Sequence, residues 1–217
     1  MSTTSGLKPG KQARSEKTQS GILDAAEIVI AEKGYAAASI NEIARQAGVT
    51  SGALYGRFGG KEDLLTGIFE RHRTRWRDAF DRLCTEIDDG ELSFRAALER
   101  SMHVMVWLYR DNAALVRAAN HAAAENPALK TRIFSFNRDV CAALYASLGR
   151  YDAQIAHPQP ALAMKLGHEA ATRLLRSAIL NEEIDFGDLE AQGIEMSDAL
   201  LATQAARMME AYLRSAA

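Results

Sequence analysis

The sequence predicts an all-α chain, built as a compact set of short helices followed by a larger bundle of long ones. Three observations carry that expectation. The 217 residues include 39 alanines against four prolines, Pro9, Pro127, Pro158 and Pro160, and Ala is the best helix former while Pro is the worst. Apolar residues recur at three- and four-residue spacing along most of the chain, and no segment reads as a β-strand. Nine of the 15 glycines lie at or before residue 60, so tight turns are frequent early and rare afterwards. Charged residues at 25% and hydrophobic residues at 47% are those of an ordinary globular protein, which excludes disorder and collagen-like repetition.

Taken in order, Ile22-Leu23, Ala25-Ala26 and Val29-Ile30 line one face of a first helix that stops at Gly34, a C′ glycine. Ser39-Ile40-Asn41-Glu42 is a capping box opening a second helix, with Ile40, Ile43, Ala44 and Ala47 on its apolar side and Gly48 at its end. Only Val49 then precedes Thr50, an N-cap for a third helix from Ser51 to about Arg57. Two short helices joined through a glycine turn form a helix-turn-helix. A fourth helix starts near Lys61 and runs towards Leu83. Further helices follow from Phe94, with the stripe Phe94, Leu98, Met102, Met105 and Tyr109 marking a central buried element, from Asn112 to Asn126, from there to Gly149, from Pro160 to about Asn181, and from Ser197 to Ser215. The acidic segment holding Glu182, Glu183, Asp185, Asp188 and Glu190 reads as a solvated loop.

Net charge is −2 overall, but it is unevenly placed. Residues 1–61 hold eight basic and five acidic residues, for +3, and the remaining 18 basic and 23 acidic give −5. A near-neutral total therefore conceals a basic N-terminal end. The division expected is 1–17 as a flexible basic arm (Lys8, Lys11, Arg14, Lys17), 18–65 as the helix-turn-helix domain, and 66–217 as the larger helical domain. The arm has two readings: a strand that follows DNA, or an ordinary disordered leader.

The ordered run Gly34-Tyr35, Ile43-Ala44-Arg45-Gln46-Ala47-Gly48-Val49, Leu54-Tyr55-Gly56-Arg57-Phe58 and Lys61-Glu62-Asp63-Leu64, with Ile22-Leu23-Asp24-Ala25-Ala26 and Ala31-Glu32-Lys33-Gly34 before it, resembles the TetR family of transcriptional regulators. It spans roughly the first third of the chain. The resemblance implies a homodimeric DNA-binding protein, usually a repressor, whose C-terminal domain binds a small effector that changes operator affinity. It implies that the last two helices, about 160–181 and 197–215, form the dimer surface as an intermolecular four-helix bundle. Gly56 and Gly60 depart from the family's common residues. Gly56, read as lying inside the third helix, is expected to cost about 1 kcal/mol of helix propensity, and Gly60 serves as an N-cap.

Physical chemistry assigns the DNA-facing roles in parallel. Thr50, Ser51 and Gly52 are small enough at a helix start to approach base edges. Tyr55, Arg57 and Lys61 flank that helix and suit phosphates, with Ser39 and Arg45 from the helix before it; the amides opening the fourth helix add to the attraction of Lys61. Second readings stand beside these: Tyr55 as core, Ser39 as cap only, Arg45 as merely solvated. Leu54 and Phe58 are core residues. A symmetric dimer places two such helices about 34–36 Å apart on one face of palindromic double-stranded DNA.

Other chemistries fail on spacing. Gly59-Gly60-Lys61 lacks the first glycine, the Ser/Thr and the preceding strand of a phosphate loop. His168-Glu169 meets Thr172 where a second zinc ligand belongs, and the five histidines hold no metal spacing. No G-x-S-x-G elbow is present. No cofactor, metal or catalytic residue is expected, and the chain is read as a binding protein, not an enzyme; the alternatives are a helical interaction protein or a small-molecule-converting enzyme. Arg71, Arg73, Arg75 and Arg77 read as a solvated face. Cys84 and Cys141 read as buried apolar side chains of a reducing cytoplasm, with no membrane span and no secretory leader. The effector site is the thinnest part: Met102, His103, Val106, Trp107, Phe134 and Asn137 are candidates for a mainly apolar wall, and Arg117, Asn120, His121, His168 and Arg173 for polar fixings. Core packing is the competing reading for each.

Overall fold

The computed structural model describes residues 9–181 and 183–216. Helices follow in the order α1 (Pro9–Ala37), α2 (Ile40–Gln46), α3 (Ser51–Tyr55), α4 (Lys61–Asp88), α5 (Phe94–Asp111), α6 (Ala113–Glu125), α7 (Pro127–Leu148), α8 (Pro160–Arg176), α9 (Gly187–Glu190) and α10 (Asp198–Leu213), with no strand among the described residues. The all-α reading is correct. The helix starts follow the local signals: Ser39, Thr50, Ser93 and Ser197 each cap the helix that follows with a side-chain oxygen. Gly34 (φ +78°) breaks α1, and Gly48 (φ +66°) turns the chain between α2 and α3; both conformations favour glycine.

Two details differ from expectation. The segment from Pro9 onward is helical, not a flexible arm: Pro suits a first helical turn, and the Thr18 hydroxyl donates to the Arg14 carbonyl at 2.9 Å. Lys8 lies outside the described residues. The acidic loop after α8 contains the short helix α9.

The chain forms two compact units, and they do not divide linearly at residue 65. One comprises the described residues of Met1–His72 with Arg117–Lys130, the other Arg73–Val116 with Thr131–Ala217. Helix α4 is continuous across the expected boundary, while 117–130 joins the first unit through contacts no local pattern announces. The Asn126 amide donates to Glu62 Oε2 at 2.8 Å, and the His121 ring stands edge-on to Tyr35 at 5.8 Å.

The core of the first unit gathers Ile22, Leu23, Val29 and Ile30 of α1, Ile43 and Ala44 of α2, Leu54 of α3, Phe58, and Leu64, Leu65, Ile68 and Phe69 of α4, all buried. Gly67 lets α4 approach closely: a Cβ there would stand 3.1 Å from Leu23 Cδ2 and 3.3 Å from Phe58 Cε1. Arg71 of α4 donates to Asp24 at 2.6 Å and also pairs with Glu27, which His72 meets at 3.1 Å. Burial raises the Glu27 pKa, but these partners outweigh it and hold the carboxyl below its usual range. The α4 arginine run is therefore not a simple solvated face: Arg71 ties α4 to α1, and in the second unit Arg75 pairs with Asp111 at 3.6 Å and lies over the Trp107 ring.

Lys61 makes the densest of these ties. Its ammonium donates to the carbonyls of Tyr35 (2.6 Å), Ala36 (3.2 Å) and Ala38 (3.0 Å) and sits 4.5 Å from the centre of the Tyr35 ring. An ammonium has three N–H donors, and all three are engaged on carbonyls around the Gly34 break.

In the second unit α5 is central, with Phe94, Ala97, Leu98, Met102, Met105 and Tyr109 buried, and it packs on α10 and α8. Buried Glu210 of α10 is answered by Arg95 at 2.9 Å and Arg214 at 3.0 Å.

Replacing Lys61 by Met is expected to lower the stability of the protein by about 1–3 kcal/mol, the scale of losing charge-assisted hydrogen bonds. Urea unfolding measures it. An unchanged unfolding midpoint means that the ammonium does not hold the α1 carbonyls.

Candidate nucleic-acid interface

A five-residue helix is too short to persist alone, so α3 depends on its surroundings. Leu54 and Phe58 are buried beneath it, as expected. At its start the Thr50 Oγ1 accepts from the Ala53 amide at 3.1 Å, and the Ser51 hydroxyl donates to Asn41 Oδ1 of α2 at 2.8 Å. Helix α2 is fixed by its capping box: Ser39 Oγ accepts from the Glu42 amide at 3.3 Å, and the Glu42 carboxylate accepts from the Ser39 amide at 3.3 Å and its hydroxyl at 3.0 Å. Lys33 pairs with the same carboxylate, and with Ser39 it holds Glu42 below the usual carboxylate range.

What remains outward is a small polar face. Thr50 and Gly52 are exposed at the start of α3, with half-buried Ser51 between them. Tyr55 is 55% exposed, which removes its reading as core. Arg45 and Arg57 are exposed; Arg57 reaches back to the Ala53 carbonyl at 3.2 Å, within its own turn. Gly56 is the C-cap of α3 and lies outside it, so the interior-helix cost expected for it does not arise.

Two expected phosphate contacts are otherwise occupied. Ser39 spends its hydroxyl in the capping box, and the Lys61 ammonium is held by α1 carbonyls 23 to 26 residues away. Asn41 is the residue the sequence reading passed over. It is exposed, in the first turn of α2, and bridges to Ser51; its signal was present, a short amide side chain ten residues before a hydroxyl that opens the next helix.

The effector candidates are not gathered into one site. Met102 and Val106 are core residues of α5. His103 and Trp107, on the flank of α5, border a shallow groove of about 180 Å³ with Arg82, Glu86 and Arg100. Arg117, Asn120 and His121 belong to the first unit, where His121 lines a cleft of about 520 Å³ with Tyr35, Lys61, Glu62 and Glu125. Phe134 and Asn137 of α7 are exposed, as is Arg173, which pairs with Glu169 at 2.9 Å. Of the proposed polar fixings, His168 is the buried one, 3.0 Å from the Tyr145 hydroxyl. Helical periodicity assigns a face to each residue but not the helix it faces, which is why the list scatters.

Helices α8 and α10 carry an uncovered apolar surface. Leu162, Leu166 and Met208 are 46%, 47% and 58% exposed, beside a groove of about 280 Å³ lined by Gly167, Ala170, Ala171, Met209 and Tyr212. Among the described residues no helix is long and apolar enough to cross a membrane.

Comparison with known proteins agrees with this geometry. Residues 22–68 match the family model for bacterial regulatory proteins, tetR family. Over 60 residues, 28% of the chain and 30% of the other protein, the sequence is 47% identical to the fatty acid metabolism regulator protein of Bacillus subtilis. Over 98 residues, 42% of the chain and 49% of the other, it is 33% identical to the transcriptional repressor KstR2 of Mycobacterium tuberculosis. The chain thus spans at most about half the length of these relatives. Two solved structures share the fold across nearly its whole length. A protein of Mesorhizobium loti assigned to the TetR family has a TM-score of 0.69 at 20% identity, covering 92% of this chain and 96% of that one. SmeT, the repressor of the Stenotrophomonas maltophilia multidrug efflux pump SmeDEF, has a TM-score of 0.60 at 21% identity, covering 89% and 88%. The matched relatives are named as regulators, not as enzymes. The helix-turn-helix of residues 22–68 is thus similar to that of bacterial regulatory proteins of the tetR family.

Proposed function

We propose that the protein is a sequence-specific DNA-binding transcriptional repressor that acts as a homodimer on a palindromic operator in the cytoplasm and is released by a small, mainly apolar effector. The observation that carries the reading is the outward face of α3, where Thr50, Ser51, Gly52 and Tyr55 stand above a buried Leu54–Phe58 anchor. Base edges are read by Thr50, Ser51 and Gly52, with Asn41 beside them, and phosphates are met by Tyr55, Arg45 and Arg57. The names of the similar proteins support the repressor part: KstR2 is named a transcriptional repressor, and SmeT the repressor of a multidrug efflux pump.

Dimerisation supplies the symmetry. Exposed Leu162, Leu166 and Met208 form an apolar face that a second copy covers in an isologous interface. Beside that face α8 and α10 cross closely at Gly167, where a Cβ would lie 3.2 Å from Met209 Cγ and 3.3 Å from Tyr212 Cδ1.

Selection from a pool of random duplexes tests the reading directly. The expected result is enrichment of an inverted repeat, and the absence of any enriched sequence sinks it. On the selected duplex, Arg57→Ala or Arg45→Ala is expected to weaken binding to all sequences alike and to lower the slope of log affinity against log salt by about one. Thr50→Ala and Ser51→Ala are expected to change which half-site is preferred, at about 1–3 kcal/mol of discrimination; a uniform loss would count against base reading. Leu166→Glu combined with Met208→Glu is expected to halve the mass seen by sedimentation and abolish operator binding while helicity is retained. A variant that stays dimeric removes α8 and α10 from the interface.

A further inference from the structure

Helices α2 and α3 are tied across their glycine turn by side chains as well as by backbone: the Ser51 hydroxyl donates to Asn41 Oδ1 at 2.8 Å. Asn41 is exposed in the first turn of α2, and Ser51 is half-buried in the first turn of α3. The polar groups around them are committed within their own helices. Thr50 Oγ1 accepts from the Ala53 amide, and Ser39 and Glu42 bond each other in the capping box. The Asn41–Ser51 bond differs in joining two helices, and in leaving polar atoms of both residues over.

Which atoms are left over follows from the donor count. A serine hydroxyl carries one proton, and an asparagine amide has an NH₂ donor group and an oxygen that only accepts. The Ser51 proton is therefore spent on Asn41 Oδ1. What remains is the Asn41 NH₂ as donor and the Ser51 Oγ lone pairs as acceptor. Turning the amide over, so that Nδ2–H donates to Ser51 Oγ, exchanges the roles and still leaves one donor, the Ser51 O–H, beside one acceptor, Asn41 Oδ1. A lone serine turns its proton to suit either kind of partner; the bond to Asn41 removes that freedom. The major-groove edges of the bases answer such a pair differently. Guanine offers two acceptors, cytosine a donor, and thymine an acceptor beside a methyl group; adenine offers an acceptor, N7, next to a donor, the N6 amine. Adenine is the one base whose edge matches a donor and an acceptor held side by side. Against guanine, one of the two protein groups meets its own kind.

We propose that Asn41 and Ser51 act as one composite reading element, each locking the other's hydrogen-bonding role, and that the pair selects an adenine in each half-site of the operator. This rests on the DNA-binding reading above and names a base that its recognition face requires. In the orientation of the structure the Asn41 NH₂ meets adenine N7 and Ser51 Oγ accepts from the N6 amine.

Modified bases test this on the full-length, unaltered protein. In the inverted repeat selected from random duplexes, each adenine of a half-site is replaced in turn by 7-deazaadenine, which lacks N7, and by unsubstituted purine, which lacks the N6 amine. One adenine is expected to respond to both, with binding about tenfold weaker in each case, the scale of one hydrogen bond. Asn41→Ala then removes the response to 7-deazaadenine and Ser51→Ala the response to purine; the two assignments exchange if the amide is turned over. A half-site in which no adenine responds to both replacements overturns the proposal, and that result needs no variant protein. So do responses that survive in both variants. Ser51→Ala that keeps both responses hands the reading to Asn41 alone and overturns the pair. An enriched inverted repeat without a responsive adenine removes this inference and leaves the DNA-binding reading; no enriched sequence at all removes both.

Discussion

A helix of five residues has no stability of its own, and the first unit is organised around holding one. Helix α3 gains a single turn of backbone hydrogen bonds, far below what pays for nucleation. Its persistence comes from Leu54 and Phe58, buried among α1, α2 and α4, and from the hydroxyls of Thr50 and Ser51 at its first turn. The positive φ of Gly48 sets the angle at which it leaves α2. Each device is short-ranged, and together they hold the small polar side chains of α3 on the outside of the unit.

The same unit spends much of its charge internally. Lys33 is paired with Glu42, Arg71 with Asp24 and Glu27, and Lys61 with the carbonyls around the Gly34 break. The excess of +3 over residues 1–61 is therefore a poor guide to which cations stand exposed at the surface. Those outside the α1–α4 framework, Arg45 and Arg57, are the ones placed beside α3. Tying Lys61 to the end of α1 has a different use: it fastens two helices that flank the recognition turn.

The second unit follows another logic. Its abundant alanines and Gly167 let α8 and α10 pack closely, and the bulky apolar residues excluded from that crossing, Leu162, Leu166 and Met208, stand on its outer side. Inside, the Thr172 and Ser101 hydroxyls donate to carbonyls of their own helices, while Glu210 of α10 is answered by Arg95 of α5. His168 of α8 meets the Tyr145 hydroxyl of α7 at 3.0 Å, a tie between two helices.

What was legible in the amino-acid order is what acts within a few residues. The capping box at Ser39, the caps at Thr50 and Ser197, the glycines at 34 and 48 and the buried pair Leu54 and Phe58 all sit where local pattern placed them, because caps, turns and amphipathic faces depend on neighbours one to four positions away. The tertiary structure alone decided the rest. Lys61 finds its carbonyls 23 to 26 residues back, residues 117–130 join a unit whose other members end at His72, and His168 meets Tyr145 across two helices. The scattering of the effector candidates has the same origin. Periodicity states which side of a helix is buried, and only the packing of one helix on another states against what.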